Sequence, residues 1–325
     1  MTVLVTGGAG YIGSHAAKAL RSAGHTVVIY DNMSAGHREA ALGAPLIEGD
    51  VCDVGAVRRA IRDSGASAVV HFAAWLVVPD SVRDPVGYYR NNVGGAMATL
   101  EAMALEGCRS FVFSSTCAVY GEPVATPIAE DHPTRPVNAY GQTKLAVEQA
   151  LPHVERAYGI RSVCLRYFNA AGADPDGELG EVHSPEVHLI PRAIQAAVGG
   201  EPLDVFGTDY PTPDGTCLRD YVHVTDLATA HVQALEHLLG GGASAAYNVG
   251  TGTPSSVREV IAMVERVTGR SVPTRFAARR PGDPAVLCAA ADSIRQELGW
   301  RPTRPTLEAI VADAWRWHEA HPRGF

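Results

Sequence analysis

No run of apolar residues approaches the ~20 that a membrane-crossing helix requires, so the chain is not read as a helical membrane protein. The six cysteines, at positions 52, 108, 117, 164, 217 and 288, form neither a Cys-x-x-Cys pair nor the spacing of a disulfide framework. They are read as reduced thiols of a cytoplasmic protein. Met1-Thr-Val-Leu-Val-Thr6 leads directly into a glycine motif without a basic segment or cleavage site, so no leader is expected. Basic runs are absent and the net charge is −8, which argues against nucleic-acid binding. Thirteen histidines occur, yet none falls into a His-Glu-x-x-His or mixed Cys/His pattern. His183 and His188 are read as loop residues, and no metal is expected. Internal repeats and low-complexity segments are lacking. At 325 residues the chain is long for one core, so two lobes are expected.

What is there begins with Asn138-Ala-Tyr140-Gly-Gln-Thr-Lys144. Leu145, Val147 and Leu151 predict a helix, which puts Tyr140 and Lys144 on one face about a turn apart. A free phenol titrates near ~10, so a tyrosine base at neutral pH needs a neighbouring positive charge. The spacing alone describes an ordinary amphipathic helix equally well.

The N-terminal segment is more specific. Thr2 to Thr6 reads as a strand, Gly7-Gly-Ala-Gly-Tyr-Ile-Gly13 as a turn, and Ile12, Ala16 and Leu20 as one face of a helix ending near Gly24. A second strand, Thr26 to Tyr30, closes on Asp31. Strand, glycine turn, helix, strand and acid in this order form a dinucleotide fingerprint. Glycines let the backbone approach a pyrophosphate at a helix N-terminus. Asp31 can accept from a ribose diol and would repel a 2′-phosphate, which favours NAD over NADP.

Alternation continues with strands at Pro45–Glu48, Ser67–Phe72, Arg109–Phe113 and Ser162–Tyr167, and helices at Asp53–Asp63 and Tyr88–Glu106. The expected fold is a Rossmann-type α/β, doubly wound parallel sheet with a smaller α/β C-terminal substrate lobe. Residues 1–169 plus about 220–245 are assigned to the NAD-binding domain, and about 170–219 with 246–325 to the lobe. The segment Arg219 to Asp226 and the helix after it are expected to return to the sheet domain. Asp31, Asp50, Ala73, Thr116 and Asn169 all fall at carboxyl ends of strands, where such sheets bind ligands. Arg279-Arg280 beside Asp283 fits either a diphosphate contact or a surface ion pair with Asp283.

Taken together these segments resemble the extended short-chain dehydrogenase/reductases and, within them, the UDP-glucose 4-epimerase family. The resemblance runs nearly end to end. It rests on the glycine turn, Asp31-Asn32, Gly49-Asp50-Val51, His71-Phe-Ala-Ala74, Tyr88-Tyr-Arg-Asn-Asn-Val93, Ser114-Ser-Thr116, Val119-Tyr-Gly121, Tyr140 to Lys144 and Arg166-Tyr-Phe-Asn169. Phe206-Gly-Thr-Asp-Tyr-Pro-Thr212, Arg219-Asp-Tyr-Val-His223 and Arg279-Arg-Pro-Gly-Asp283 are more specific to the epimerases and their nearest relatives.

The resemblance implies reversible C4 epimerisation of a UDP-hexose by transient oxidation to a 4-keto sugar, with NAD kept tightly bound. It implies Tyr140 as the base, Lys144 as its support and the holder of the nicotinamide ribose, and Thr116 as a hydrogen-bond partner of the sugar hydroxyl. Cofactor contacts would come from Gly7, Gly10, Tyr11, Ile12, Gly13, Asp31, Asn32, Asp50, Val51, Phe72, Ala73, Ala74, Asn91, Tyr140, Lys144 and Tyr167. Substrate contacts would come from Thr116, Tyr140, Asn169, Leu189, Phe206, Arg219, Arg280 and Asp283. A homodimer through helices around 90–106 and 140–158 is also implied, although Leu100, Met103 and Leu105 would read the same on a helix face buried against the sheet.

There are departures from the family pattern. Val78-Pro79-Asp80-Ser81 replaces the usual Val-Gly-Glu-Ser, and Leu287 stands where the family limits room at the sugar's C2 substituent. N-acetylated or uronic UDP-sugars therefore stay open as substrates. A dehydratase would need an Asp-Glu pair after Thr116, where this chain has Cys117-Ala118. A non-catalytic NAD-sensing regulator would be expected to lose Tyr140 or Lys144, and both are present.

Overall fold

Successive residues of a strand point to opposite faces. Val3 and Val5 accordingly enter one core and Leu4 another, all three fully buried. In the computed structural model, which describes residues 1–280 and 282–325, this first strand lies in the interior of a parallel sheet. The strands are β1 (Thr2–Thr6), β2 (Thr26–Asp31), β3 (Leu46–Glu48), β4 (Ala68–His71), β5 (Ser110–Thr116), β6 (Arg161–Tyr167), β7 (Asn169–Ala171), β8 (Leu203–Phe206), β9 (Leu218–His223), β10 (Ala245–Val249), β11 (Pro254–Ser256), β12 (Thr274–Ala277) and β13 (Val286–Leu287). The helices are α1 (Tyr11–Ser22), α2 (Val54–Ser64), α3 (Val78–Arg83), α4 (Pro85–Tyr88), α5 (Gly95–Glu106), α6 (Ala139–Tyr158), α7 (Leu189–Ala197), α8 (Val224–Leu239), α9 (Val257–Thr268), α10 (Asp292–Glu297) and α11 (Leu307–Ala320).

Seven strands form the main sheet in the order β10-β6-β5-β4-β1-β2-β3, all parallel. This is the Rossmann-type α/β fold expected from the sequence. On one face Ala17 and Leu20 of α1 and Leu227, Ala230 and Leu235 of α8 cover Val3, Val5, Ile29, Val70, Val112 and Val163. On the other, Val57 and Ile61 of α2, Leu100 and Met103 of α5, and Val147 and Leu151 of α6 cover Leu4, Val28, Phe111 and Phe113. Leu100 and Met103 are thus core residues facing the sheet, and only Leu105 of that stripe is exposed. The order reverses between β1 and β4, where parallel sheets open a crevice at their carboxyl ends.

The second lobe has its own core, made by α7, α9 and α11 through Ile194, Val260, Val264, Ile310 and Val311. Its sheet centres on β9, which pairs with β7 and β13 in parallel and β11 antiparallel, while β8 and β12 form a separate parallel pair. The segment Arg219 to His223 therefore does not rejoin the main sheet; only α8 does. β10, just beyond the boundary expected near 245, supplies the seventh strand. Asp220 is fully buried and ties the lobes' elements together. It accepts hydrogen bonds from Thr251 N (2.8 Å), Thr251 Oγ1 (2.7 Å), Gly252 N (2.9 Å) and Ala289 N (3.1 Å). Among the described residues no helix is long and apolar enough to cross a membrane.

Candidate active site

The crevice is a single cleft of about 1150 Å³ running between the two lobes. Its floor is the glycine turn between β1 and α1. Gly7 has φ +71°, and a Cβ there would lie 2.6 Å from the main-chain nitrogen of Ala73. At Gly13 a Cβ would overlap the carbonyl oxygen of Gly7. Both glycines are required by the fold. Gly10 differs: its φ is −82°, and a Cβ would meet nothing nearer than Gly7 O at 3.4 Å. Gly10 is also the N-cap of α1, and no side chain caps that helix. The amides of its first turn are left to a ligand from the cleft, an arrangement suited to an anionic pyrophosphate.

Asp31, buried at the end of β2, accepts from Ala9 N (3.0 Å) and Met33 N (2.9 Å). It thereby locks the glycine turn to the second strand. Each carboxylate oxygen keeps a second lone pair for a ribose hydroxyl. These residues fit a dinucleotide of the NAD type.

Across the floor, Asn138 caps α6 by accepting from Gly141 N (2.8 Å), which fixes Tyr140 and Lys144 on the first turns. Lys144 is buried, donates to Ser114 O (2.8 Å) and stands 5.0 Å over the ring of Phe113. Burial pulls its ammonium down to about 7, against the partial support of Glu148. The same burial, with Tyr167 adjacent, pushes the Tyr140 phenol up, while the Thr116 hydroxyl works the other way. No hydrogen bond joins Tyr140 to Lys144 here. Desolvation is the largest influence on the phenol and raises it.

This has a measurable consequence. In the unfolded chain Lys144 holds its proton up to about 10.5; in the folded, ligand-free chain it releases it near 7. Between those values the unfolded state binds more protons, so this group's contribution to stability rises with pH. His183 runs in the opposite direction, held up to about 10, and comparing variants cancels it. Melts of the cofactor-stripped protein should show the wild type gaining on Lys144→Met between pH 7 and 8.5, by up to ~1.4 kcal/mol per pH unit. Parallel curves would contradict the burial effect.

Behind the pair lies a braced network. Ser115 Oγ donates to Glu148 (2.5 Å), whose carboxylate is gripped by Arg166 (2.6 Å), and Arg166 also reaches Tyr120 OH (2.9 Å). Asn92 sits in a wide helical turn, Tyr89–Gly94. It accepts from Trp75 N (2.8 Å) and donates to Thr143 Oγ1 (3.2 Å), joining α6 to the loop after β4.

The opposite wall carries the cations. Arg219 pairs with Asp283 and is nearly buried, and Arg280 lies 3.9 Å over the ring of Phe206. Arg279 pairs instead with Asp209 (2.7 Å). The ion pair of Asp283 is thus with Arg219 rather than with its near neighbours in sequence. Pro281 of that segment lies outside the described residues.

Every site residue expected from the sequence lines this cleft except Asp50, whose Oδ1 accepts from Cys52 N (2.8 Å). Val78 to Arg83 forms α3, with Val78, Pro79, Val82 and Arg83 on the wall, and Leu287 lines the cleft from β13. Sequence reasoning missed Arg192, a further cation on the wall one turn into α7. Its spacing of three from Leu189 is the signal that could have found it.

The family model for the NAD dependent epimerase/dehydratase family matches residues 3–250. A UDP-glucose 4-epimerase of Azospirillum brasilense is 53% identical over 320 residues, covering 98% of this chain and 92% of that protein. The crystal structure of UDP-glucose 4-epimerase from Brucella ovis in complex with NAD has a TM-score of 0.95 at 50% identity, with 97% of each chain covered. That of the enzyme from Bifidobacterium longum in complex with NAD+ and UDP also has a TM-score of 0.95, at 37% identity and 100% coverage of both chains.

Proposed function

The chain belongs to the NAD dependent epimerase/dehydratase family, and from that premise we propose that it interconverts UDP-glucose and UDP-galactose at C4 of the hexose. The observation that carries the reading is the single cleft whose walls hold the glycine turn, Tyr140 with Lys144, and Arg219 with Arg280. Residues 1–169 and the main-sheet segments after 220 would hold NAD, and the second lobe the nucleotide sugar.

In this reading Gly7, Gly10 and Gly13 admit the pyrophosphate and Asp31 the adenosine ribose. NAD, when bound, supplies a two-electron oxidant for C4 and returns the same reducing equivalent, so no external redox partner is consumed. Tyr140 removes the proton of the 4-hydroxyl and gives it back. Thr116, whose Oγ1 accepts from Ala118 N at 3.1 Å, holds that hydroxyl in place. Lys144 binds ribose hydroxyls and supplies the positive charge that favours the phenolate once partners enter the cleft. Arg219 and Arg280 hold the diphosphate, with Asn169, Leu189 and Phe206 around the uridine. Anchoring through the nucleotide leaves the hexose free to present either face.

Elimination chemistry is disfavoured. The residues after Thr116 are Cys117 and Ala118, and burial pushes the Cys117 thiol up to about 12, too weak an acid to serve as a proton relay. Leu287, half-buried on the wall, governs room beside the sugar, so UDP-N-acetylglucosamine is the second substrate to try. A cytoplasmic homodimer is the expected working form. The test is a proton NMR time course of purified protein with UDP-galactose and no added NAD. Growth of the UDP-glucose anomeric signal supports both the reaction and the retained cofactor; no change even with NAD supplied would overturn this substrate assignment.

A further inference from the structure

Two carboxylates and two imidazoles converge between β7 and α7, in the stretch Glu181-Val-His183-Ser-Pro-Glu186-Val-His188. One ligand atom from each lies within 4.8 Å of all the others. His183 Nδ1 stands 3.1 Å from Glu181 Oε1 and 3.8 Å from Glu186 Oε2; His188 Nδ1 contacts Glu181 Oε1 and stands 3.6 Å from Glu186 Oε1. Four N and O donors held ~2.0–2.1 Å from a tetrahedral zinc ion are ~3.3 Å apart. The observed separations bracket that edge length.

We propose that Glu181, His183, Glu186 and His188 form a binding site for one divalent transition-metal cation of the zinc class.

Three further observations support it. His183 Nδ1 is buried and stands 3.1 Å from Glu181 Oε1 without a hydrogen bond of acceptable geometry, so this ring nitrogen is not fully satisfied by its protein neighbours. Glu186 is already oriented, because its Oε1 accepts from Val187 N (2.7 Å) and His188 N (2.9 Å); such outer contacts preset a metal ligand. Both carboxylates are almost wholly buried, at 3% and 4% side-chain exposure, and among the described residues neither is paired with Lys or Arg. Two buried anions in one place require compensating charge. The neighbouring trio Asp174, Asp176 and Glu178 shows the other solution, with Lys18 Nζ at 2.7, 3.1 and 2.7 Å from them.

Without a metal, compensation falls to protons on the two histidines. A cation replaces those protons, so binding releases them and weakens as pH falls. Tyr11 and His318 face the same carboxylates and complete the local set of titratable groups. The site would tie the start of α7, which carries Leu189, to the wall beside Tyr11 at the entrance of α1.

The test uses the untagged full-length protein with its bound cofactor, treated with chelator, dialysed and titrated with Zn²⁺ by calorimetry. Co²⁺ serves as the absorbing substitute. The expected result is one ion per chain, with a cobalt band of tetrahedral intensity. His188→Ala, at a half-exposed position, should weaken affinity at least ~10-fold, and Glu181→Gln likewise. Lowering pH from 8 to 6 should weaken binding in the wild type. Absence of a saturable site, or a site whose affinity neither variant changes, would overturn the proposal and leave the cluster an ion-pair network alone.

Discussion

Replacing Tyr140 by phenylalanine is expected to lower kcat by ~10³-fold or more, with the fold and the bound NAD intact. The hydroxyl is the only group removed, and it sits in a cleft that burial has already made hostile to charge. The ring that lines the cleft is retained, so packing around α6 does not change. If Tyr140 carries the proton on and off the 4-hydroxyl, the loss falls on kcat and leaves KM for the UDP-sugar nearly unchanged. Steady-state rates together with the absorbance of retained cofactor check both halves. A variant with full turnover would remove Tyr140 from the mechanism and point to Lys144, whose ammonium is pulled down to about 7 by burial.

The glycine turn gives the second large effect, in the form of a contrast. Gly7→Ala places a side chain at φ +71° against a main-chain nitrogen 2.6 Å away, which cannot rotate aside. The left-handed conformation alone costs ~1–2 kcal/mol for an L-residue, and the collision adds to it. The variant should melt well below wild type and be purified without NAD. Gly10→Ala meets no such obstacle within the protein, so its stripped form should melt with the stripped wild type. Its added methyl occupies the space where a pyrophosphate would approach α1, and it should lose NAD all the same. Equal NAD content in Gly10→Ala and wild type would contradict the assignment of that space.

The main sheet was legible because parallel strands covered on both faces carry apolar runs, and Val3–Val5 of β1, Ala68–Val70 of β4 and Phe111–Phe113 of β5 read that way. The glycine turn was legible because Gly7 and Gly13 answer steric demands that only glycine meets. β9 was not. Arg219-Asp-Tyr-Val-His223 has the alternation of a strand, but nothing local says which sheet it joins; the choice is made by Asp220, whose partners lie 31 or more residues away. Asp50 stands at the edge of the cleft, between the lining residues Gly49 and Val51. An aspartate after a strand reads as a ligand group, and the sequence does not show that its Oδ1 also satisfies the amide two residues on, as aspartates in turns often do. The ionisation of Tyr140 and Lys144 was illegible because spacing reports proximity and not desolvation. His183 and His188 were correctly placed outside the regular elements, but the burial of Glu181 and Glu186 beside them has no signature in the sequence.

The most direct measurement of the central claim follows deuterium at C4. UDP-galactose labelled with ²H at C4 is converted by the purified protein in ordinary water, and the product is read by NMR and mass spectrometry. The account predicts UDP-glucose that keeps its deuterium at C4, because the atom removed is returned to the same carbon without exchange with solvent. Protium at C4 in the product would contradict it, since that outcome requires inversion by proton abstraction and return from water.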